Sequence, residues 1–223
     1  VRKERYVSLV LLAFLCMSGL TIAYGAAIVV DHQAGVQYQH FLTAVDYERY
    51  SGGFMYNTVA ELRLAYDLNP LYASGYDGTG KTVVIVDAFG SPTIYQDLLA
   101  FILWQNARGA NLPWTTMAEV QQHLKVYYPQ GEPVFDYTDG NQLGWSIEVT
   151  LDVDMVHAIA PGADIALVIA PTNYNDPLNY AVQYAIDNRL GCAISLSWGA
   201  PEYEFTAPED IASLYEAHMM YMK

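Results

Sequence analysis

Two carboxylates four residues apart on a helix are the first chemistry this sequence offers. Gly144-Trp145-Ser146-Ile147-Glu148-Val149-Thr150-Leu151-Asp152 belongs to a segment, from about Asn141 to Ala160, that predicts a helix. Glu148 and Asp152 then share one face, one turn apart, where like charges destabilise an isolated helix. The rest of the segment is apolar, which predicts burial. Burial and mutual repulsion split the proton affinities of such a pair and hold one proton between them at moderately acid pH. A carboxyl group tuned in this way becomes a usable acid or base. A third carboxylate, Asp87, closes the β-branched run Val83-Val84-Ile85-Val86. The bland alternative is that Glu148 and Asp152 cap loops or face water.

Other constellations are weaker. Residues 75–82, Gly-Tyr-Asp-Gly-Thr-Gly-Lys-Thr, satisfy the phosphate-loop pattern, with Gly75, Gly80, Lys81 and Thr82 in place. That loop works only when it follows a strand and opens a helix, whose N-terminus holds the phosphates. Here a turn-rich stretch precedes it and a strand follows, so the glycines read as a turn and no nucleotide is expected. A metal cluster of Glu148, Asp152, Asp154 and His157 fits badly, because Asp154 and His157 fall on other helix faces. His157, at the helix end, reads as a structural histidine.

These groups need elements to position them. Thr58 with Glu61 predicts a capped helix to about Asp67. Val83–Asp87 predicts a strand. Ser91 as cap and Pro92 as first residue predict a helix to about Arg108, closed by Gly109. Leu124–Tyr128 is a second short strand, Asp164–Ala170 a third and Cys192–Ser197 a fourth. Asp176 and Pro177 predict a helix to Leu190, and Thr206 with Glu209 a last one. Strands alternate with helices, and the strands are continuous apolar runs. That pattern predicts an α/β fold: a parallel sheet with helices on both faces. Functional groups in such sheets gather at the carboxyl ends of strands, where Asp87, Ser197 and Trp198 fall.

The 223 residues carry 24 acidic and 10 basic side chains, a net charge of −14, and are 53% hydrophobic. Disorder is thereby disfavoured, and so is a nucleic-acid partner, whose phosphates this charge repels. Arg2, Lys3 and Arg5 precede a charge-free run from Tyr6 to Val30. Residues 1–25 read as a secretory signal; the alternative is an anchor over 6–30 that exports the rest. Residues 26–57 remain unassigned. The expected location is extracellular, or membrane-anchored and outward-facing. Cys192 stands alone after the apolar run, reading as a buried core thiol, so no internal disulfide is expected there.

Several stretches together resemble the sedolisin family, the serine-carboxyl peptidases with a subtilisin-like fold. They are Leu62–Leu68, Gly75–Gly90, the Glu148-x-x-x-Asp152 helix ending in His157-Ala158-Ile159-Ala160-Pro161-Gly162-Ala163, and Ser195-Leu196-Ser197-Trp198-Gly199-Ala200-Pro201-Glu202. The resemblance runs from about residue 58 to 205, and it assigns 58–223 to a partial peptidase domain, apparently truncated at its C-terminus. It implies that Glu148 is the general base and acid for a catalytic serine. Asp152 would hold and tune Glu148, Asp87 would extend the carboxyl chain, and Trp198 would wall the cleft. Glu202 is a weaker cleft candidate. Carboxyls suit acid, where an imidazole is mostly cationic and cannot accept a proton.

The family's nucleophile lies in a Gly-Thr-Ser stretch and its oxyanion aspartate in Gly-Asp-Ser-Gly; neither occurs in these 223 residues. The family's calcium site would lie beyond Lys223, so no cofactor is expected here. The expectation is thus the first half of an exported acid endopeptidase, inactive alone, with a polypeptide substrate and a complementary C-terminal chain as partner. The alternative is a degenerate, non-catalytic relative that binds peptides or proteins.

Overall fold

The computed structural model describes residues 39–40, 58–201 and 212. The signal or anchor segment, Cys16, Glu202 and the helix expected from Thr206 lie outside the described residues, apart from Ala212. Among the described residues no helix is long and apolar enough to cross a membrane.

Four parallel strands form the central sheet: β2 (Thr82–Ala88), β3 (Leu124–Tyr127), β4 (Asp164–Ala170) and β5 (Ala193–Ser195), in the order β3-β4-β2-β5. Two short strands, β1 (Gln39–His40) and β6 (Trp198–Gly199), pair antiparallel. Among the described residues they are accompanied by the helices α1 (Val59–Ala65), α2 (Asn69–Ala73), α3 (Ile94–Asn106), α4 (Met117–His123), α5 (Gly140–Ile159) and α6 (Asn175–Asp187).

The period-two pleat sorts the sheet into two faces. Val84, Val86 and Ala88 with Ala166, Val168 and Ala170 pack against Leu178, Ala181, Val182 and Ala185 of α6. On the other face, Ile85, Ile165, Leu167 and Ile169 meet α3, α4 and the Val149 and Val153 of α5. Both faces are covered, as the continuous apolar strands predict. Register fixes the depth of each residue: Asp87 sits beside Ile169, one step before the strand end.

The phosphate-loop string is a turn. Gly75, Gly78 and Gly80 all have positive φ (83°, 93° and 73°), a conformation suited to glycine. Asp164 N donates to Lys81 O, so the string leads directly into the β2–β4 ladder rather than opening a helix.

Several boundaries differ from the sequence expectation. The Ser91-Pro92 start is displaced: α3 begins at Ile94, after Thr93, whose hydroxyl donates to Asp97 Oδ2 at 2.7 Å. Asp176 lies inside the first turn of α6, and Tyr174 takes the cap position without a side-chain bond. Two short helices were not foreseen, α2 and α4; the latter carries a complete capping box between Thr116 and Glu119. The expected strand Cys192–Ser197 is reduced to Ala193–Ser195. Cys192 is exposed rather than buried; it lies just before β5, which among the described residues is the outermost strand beside β2.

That placement depends on Gly191. A Cβ there would lie 2.5 Å from Thr82 O, a backbone atom that cannot swing aside. The same carbonyl accepts from Cys192 N at 2.9 Å, locking β5 beside β2. Gly191→Ala is expected to lower stability by about 2 kcal/mol through overpacking. Urea unfolding monitored by tryptophan fluorescence measures this directly.

Candidate functional site: a buried carboxyl cluster

Helix α5 is held at both ends. Asp139 caps its start, accepting from Asn141 N at 2.8 Å. At its far end, Arg63 donates through Nε and Nη2 to Ala158 O at 3.0 and 2.9 Å, and Tyr72 donates to Ile159 O at 2.7 Å. Between these anchors Trp145, Val149 and Val153 are fully buried. A helix fixed in rotation as well as position presents a constant face, and that face carries Glu148 and Asp152. They are 2% and 7% exposed.

Asp87 comes to the same place from the sheet. It lies two residues after Ile85, so it points to the α5 side. It is fully buried, and neither of its carboxylate oxygens has a hydrogen-bond partner among the described residues. Ionised carboxylates do not persist in such surroundings. Burial first, then the charges of Asp152 and Glu148, hold the Asp87 carboxyl well above the usual carboxylate range. Burial also raises Asp152, to about 6, while a hydrogen bond from Ser197 pulls the other way. Asp87 is the more deeply buried of the two.

The strand-end backbone is unusual beside this cluster. Phe89 adopts φ 60° and Gly90 φ 79°, turning the chain sharply away after Ala88. A non-glycine residue in that region stores strain, which is concentrated at functional sites. Trp198, 9% exposed, donates its indole N–H to Val86 O at 2.7 Å, next to Asp87.

The structure thus brings Asp87, Glu148 and Asp152 into one electrostatic unit and places Trp198 at its edge. It separates the other acids and histidine of the helix. Asp154 feels Asp97 of α3, and its carboxyl is also held well above the usual range, mainly by burial. His157 lies on the Trp114 side, stacked at 4.1 Å, with Nε2 3.3 Å from Pro113 O. Burial lowers its pKa to about 4. No group of three or more His, Cys, Asp or Glu among the described residues is arranged to hold a metal. An open depression of about 660 Å³ lies at the opposite end of the sheet, lined by Asp77, Asn111, Trp114 and Gly162 among others. It contains none of the clustered carboxyls.

One site residue had no assigned role in the sequence reading. Ser197 Oγ donates to Asp152 Oδ1 at 2.8 Å. Its position at a strand's carboxyl end was the available signal, but a hydroxyl's partner 45 residues away has no local pattern.

No protein-family model matches the chain. Kumamolisin of Bacillus sp. (strain MN-32) is 29% identical over 150 residues, covering 66% of this chain and 24% of that protein. The chain therefore spans about a quarter of the length of this curated relative. This likeness bears out, over the stretch it covers, the resemblance to the sedolisin family. Among solved structures, the fold is similar to that of Pseudomonas sedolisin, a serine-carboxyl proteinase complexed with two molecules of pseudo-iodotyrostatin. The identity is 24% and the TM-score 0.47, over 67% of this chain and 38% of that one.

Proposed function

We propose that the chain supplies the carboxyl half of an acid-acting serine-carboxyl endopeptidase site. The observation that supports this reading is the dry meeting of Asp87, Glu148 and Asp152, in which burial holds the Asp87 and Asp152 carboxyls above the usual carboxylate range. Glu148 would take the proton of an attacking serine hydroxyl and return it to the leaving amine. Asp152 would fix the position of Glu148 and compensate its changing charge. Asp87, neutral across the acid range, would stand behind Asp152 as a proton reserve. Trp198 would close the cleft wall. An Asp152 that titrates near 6 matches work at low pH, and the basic residues ahead of the 6–30 apolar run support export.

The nucleophile and the oxyanion donor would come from Gly-Thr-Ser and Gly-Asp-Ser-Gly stretches, which these 223 residues do not contain. Without them the covalent step and its main electrostatic support are missing. Incubated with an unstructured protein at pH 3–5, the 223 residues alone are expected to give no turnover. Cleavage that Glu148→Gln abolishes would show that the serine is already in this chain and would refute the proposed division of the site.

A second reading is a non-catalytic relative that binds peptides or a protein. The coding sequence next to that of Lys223 separates the two. A frame containing both stretches, whose product restores cleavage when joined to this chain, supports the enzyme. Peptide binding without restored cleavage supports the module.

A further inference from the structure

We propose that Ser197 is a positioning residue of the carboxyl cluster: by donating to Asp152 Oδ1 it leaves Oδ2 as the oxygen that carries the shared proton. This inference rests on the carboxyl-network reading above and adds a direction to it.

The geometry is specific. The Ser197 hydroxyl has one hydrogen to give, and it lies 2.8 Å from Asp152 Oδ1. With that hydrogen in place, Oδ1 is an acceptor; a second proton there would face the hydroxyl hydrogen. Asp152 Oδ2 is buried with no hydrogen-bond partner among the described residues, and both Asp87 oxygens are in the same state. A proton moving between the two aspartates therefore has Oδ2 as its place on Asp152.

Ser197 is also held still. The next residue, Trp198, is tied through its indole to Val86 O at 2.7 Å. Two consecutive residues thus pin the segment after β5, one to the end of β2 and one to α5. Asp87 of β2 feels the charges of both Asp152 and Glu148 of α5, which ties the three carboxyls together. The Ser197 hydroxyl approaches from the segment after β5. Its bond favours the ionised carboxylate, whereas burial favours the neutral acid.

The test is a carbon-13 NMR titration of the aspartate carboxyl carbons in the full chain, with Asp152→Asn and Asp87→Asn to assign the signals. In Ser197→Ala, the midpoint of Asp152 should rise by about one pH unit, the size of a lost hydrogen bond to a charged group. Ser197→Thr, which keeps the hydroxyl, should restore it. Mere loosening of the site would admit water and lower the midpoint toward that of a free carboxyl. An unchanged or lowered midpoint in Ser197→Ala overturns the proposal. Should that variant not fold, Ser197→Cys, a weaker donor of similar size, carries the same expectation with a smaller rise.

This readout needs no peptidase activity. A raised midpoint in a protein that never cleaves, even joined to a serine-bearing segment, keeps the role of Ser197 and removes the peptidase reading. Cleavage with an unmoved midpoint does the reverse.

Discussion

Cleavage of an unstructured protein at pH 3–5 is expected to fall by roughly 10²–10⁴-fold when Glu148 is replaced by Gln, the usual contribution of general acid–base catalysis, if the proposed site is the working one. The measurement uses the chain joined to the segment that supplies the serine. Gln keeps the shape and the buried volume of Glu148, 2% exposed, so packing is preserved while the proton acceptor is lost. The expected signature is a loss in kcat with little change in KM, because in the proposed role the carboxylate would act as the hydroxyl proton moves and not while the peptide binds. A Glu148→Gln enzyme with wild-type kcat would remove Glu148 from the chemistry. A change confined to KM would reassign it to substrate binding.

The second large effect is on stability, and its sign is the reverse of ordinary acid denaturation. The folded-state pKa of Asp152 is raised to about 6 from 3.8. A raised value means that its contribution is fully present below the unfolded pKa and is lost as pH rises through about 6. The difference corresponds to about 3 kcal/mol. Asp87 and Asp154, both held well above their usual values, act in the same direction. His157 acts in the other. Its pKa is lowered from 6.5 to about 4, so its contribution is present above 6.5 and is lost as pH falls toward 4. The exposed carboxylates Glu61, Asp77 and Asp136, bonded to Thr58, Thr79 and Thr138, also favour higher pH. Exposed pairs of this kind are weak. Three buried acids outweigh one imidazole, so the fold should be more stable near pH 4.5 than at pH 8. Asp152→Asn, which cannot ionise, should remove about 2 kcal/mol of that difference, the part of the shift that lies between pH 4.5 and about 6. In thermal unfolding this is a relative gain of roughly 6 °C at pH 8 over pH 4.5 for a domain of this size. A variant whose pH dependence matches the wild type would mean that Asp152 is not a desolvated acid.

These two effects come from residues that differ in how far they could be read in advance. The spacing of Glu148 and Asp152 places them on one face in any helix, and the apolar residues around them demand that this face be covered. Asp87 at the close of a β-branched run is likewise a local pattern. So is the capping box of Thr58 and Glu61, which the structure contains as expected. The box of Thr116 and Glu119 is equally local, on a helix of the same length as α1, and was not read as a helix start. Caps were misplaced where two candidates compete, as with Ser91 and Thr93 before α3.

The amino-acid order alone determined the element types, the covering of both sheet faces and the identity of the three acids, because period and capping act within a few residues. Only the tertiary structure decided that Asp87 turns toward α5, that Asp154 turns toward Asp97, that Cys192 lies open to solvent, and that Ser197 reaches Asp152. Those outcomes depend on strand order and register, which bring together residues as much as 65 positions apart. No local pattern encodes the neighbour across such a gap. The pKa shifts belong to this second group, since desolvation exists only after the helix has closed over the sheet.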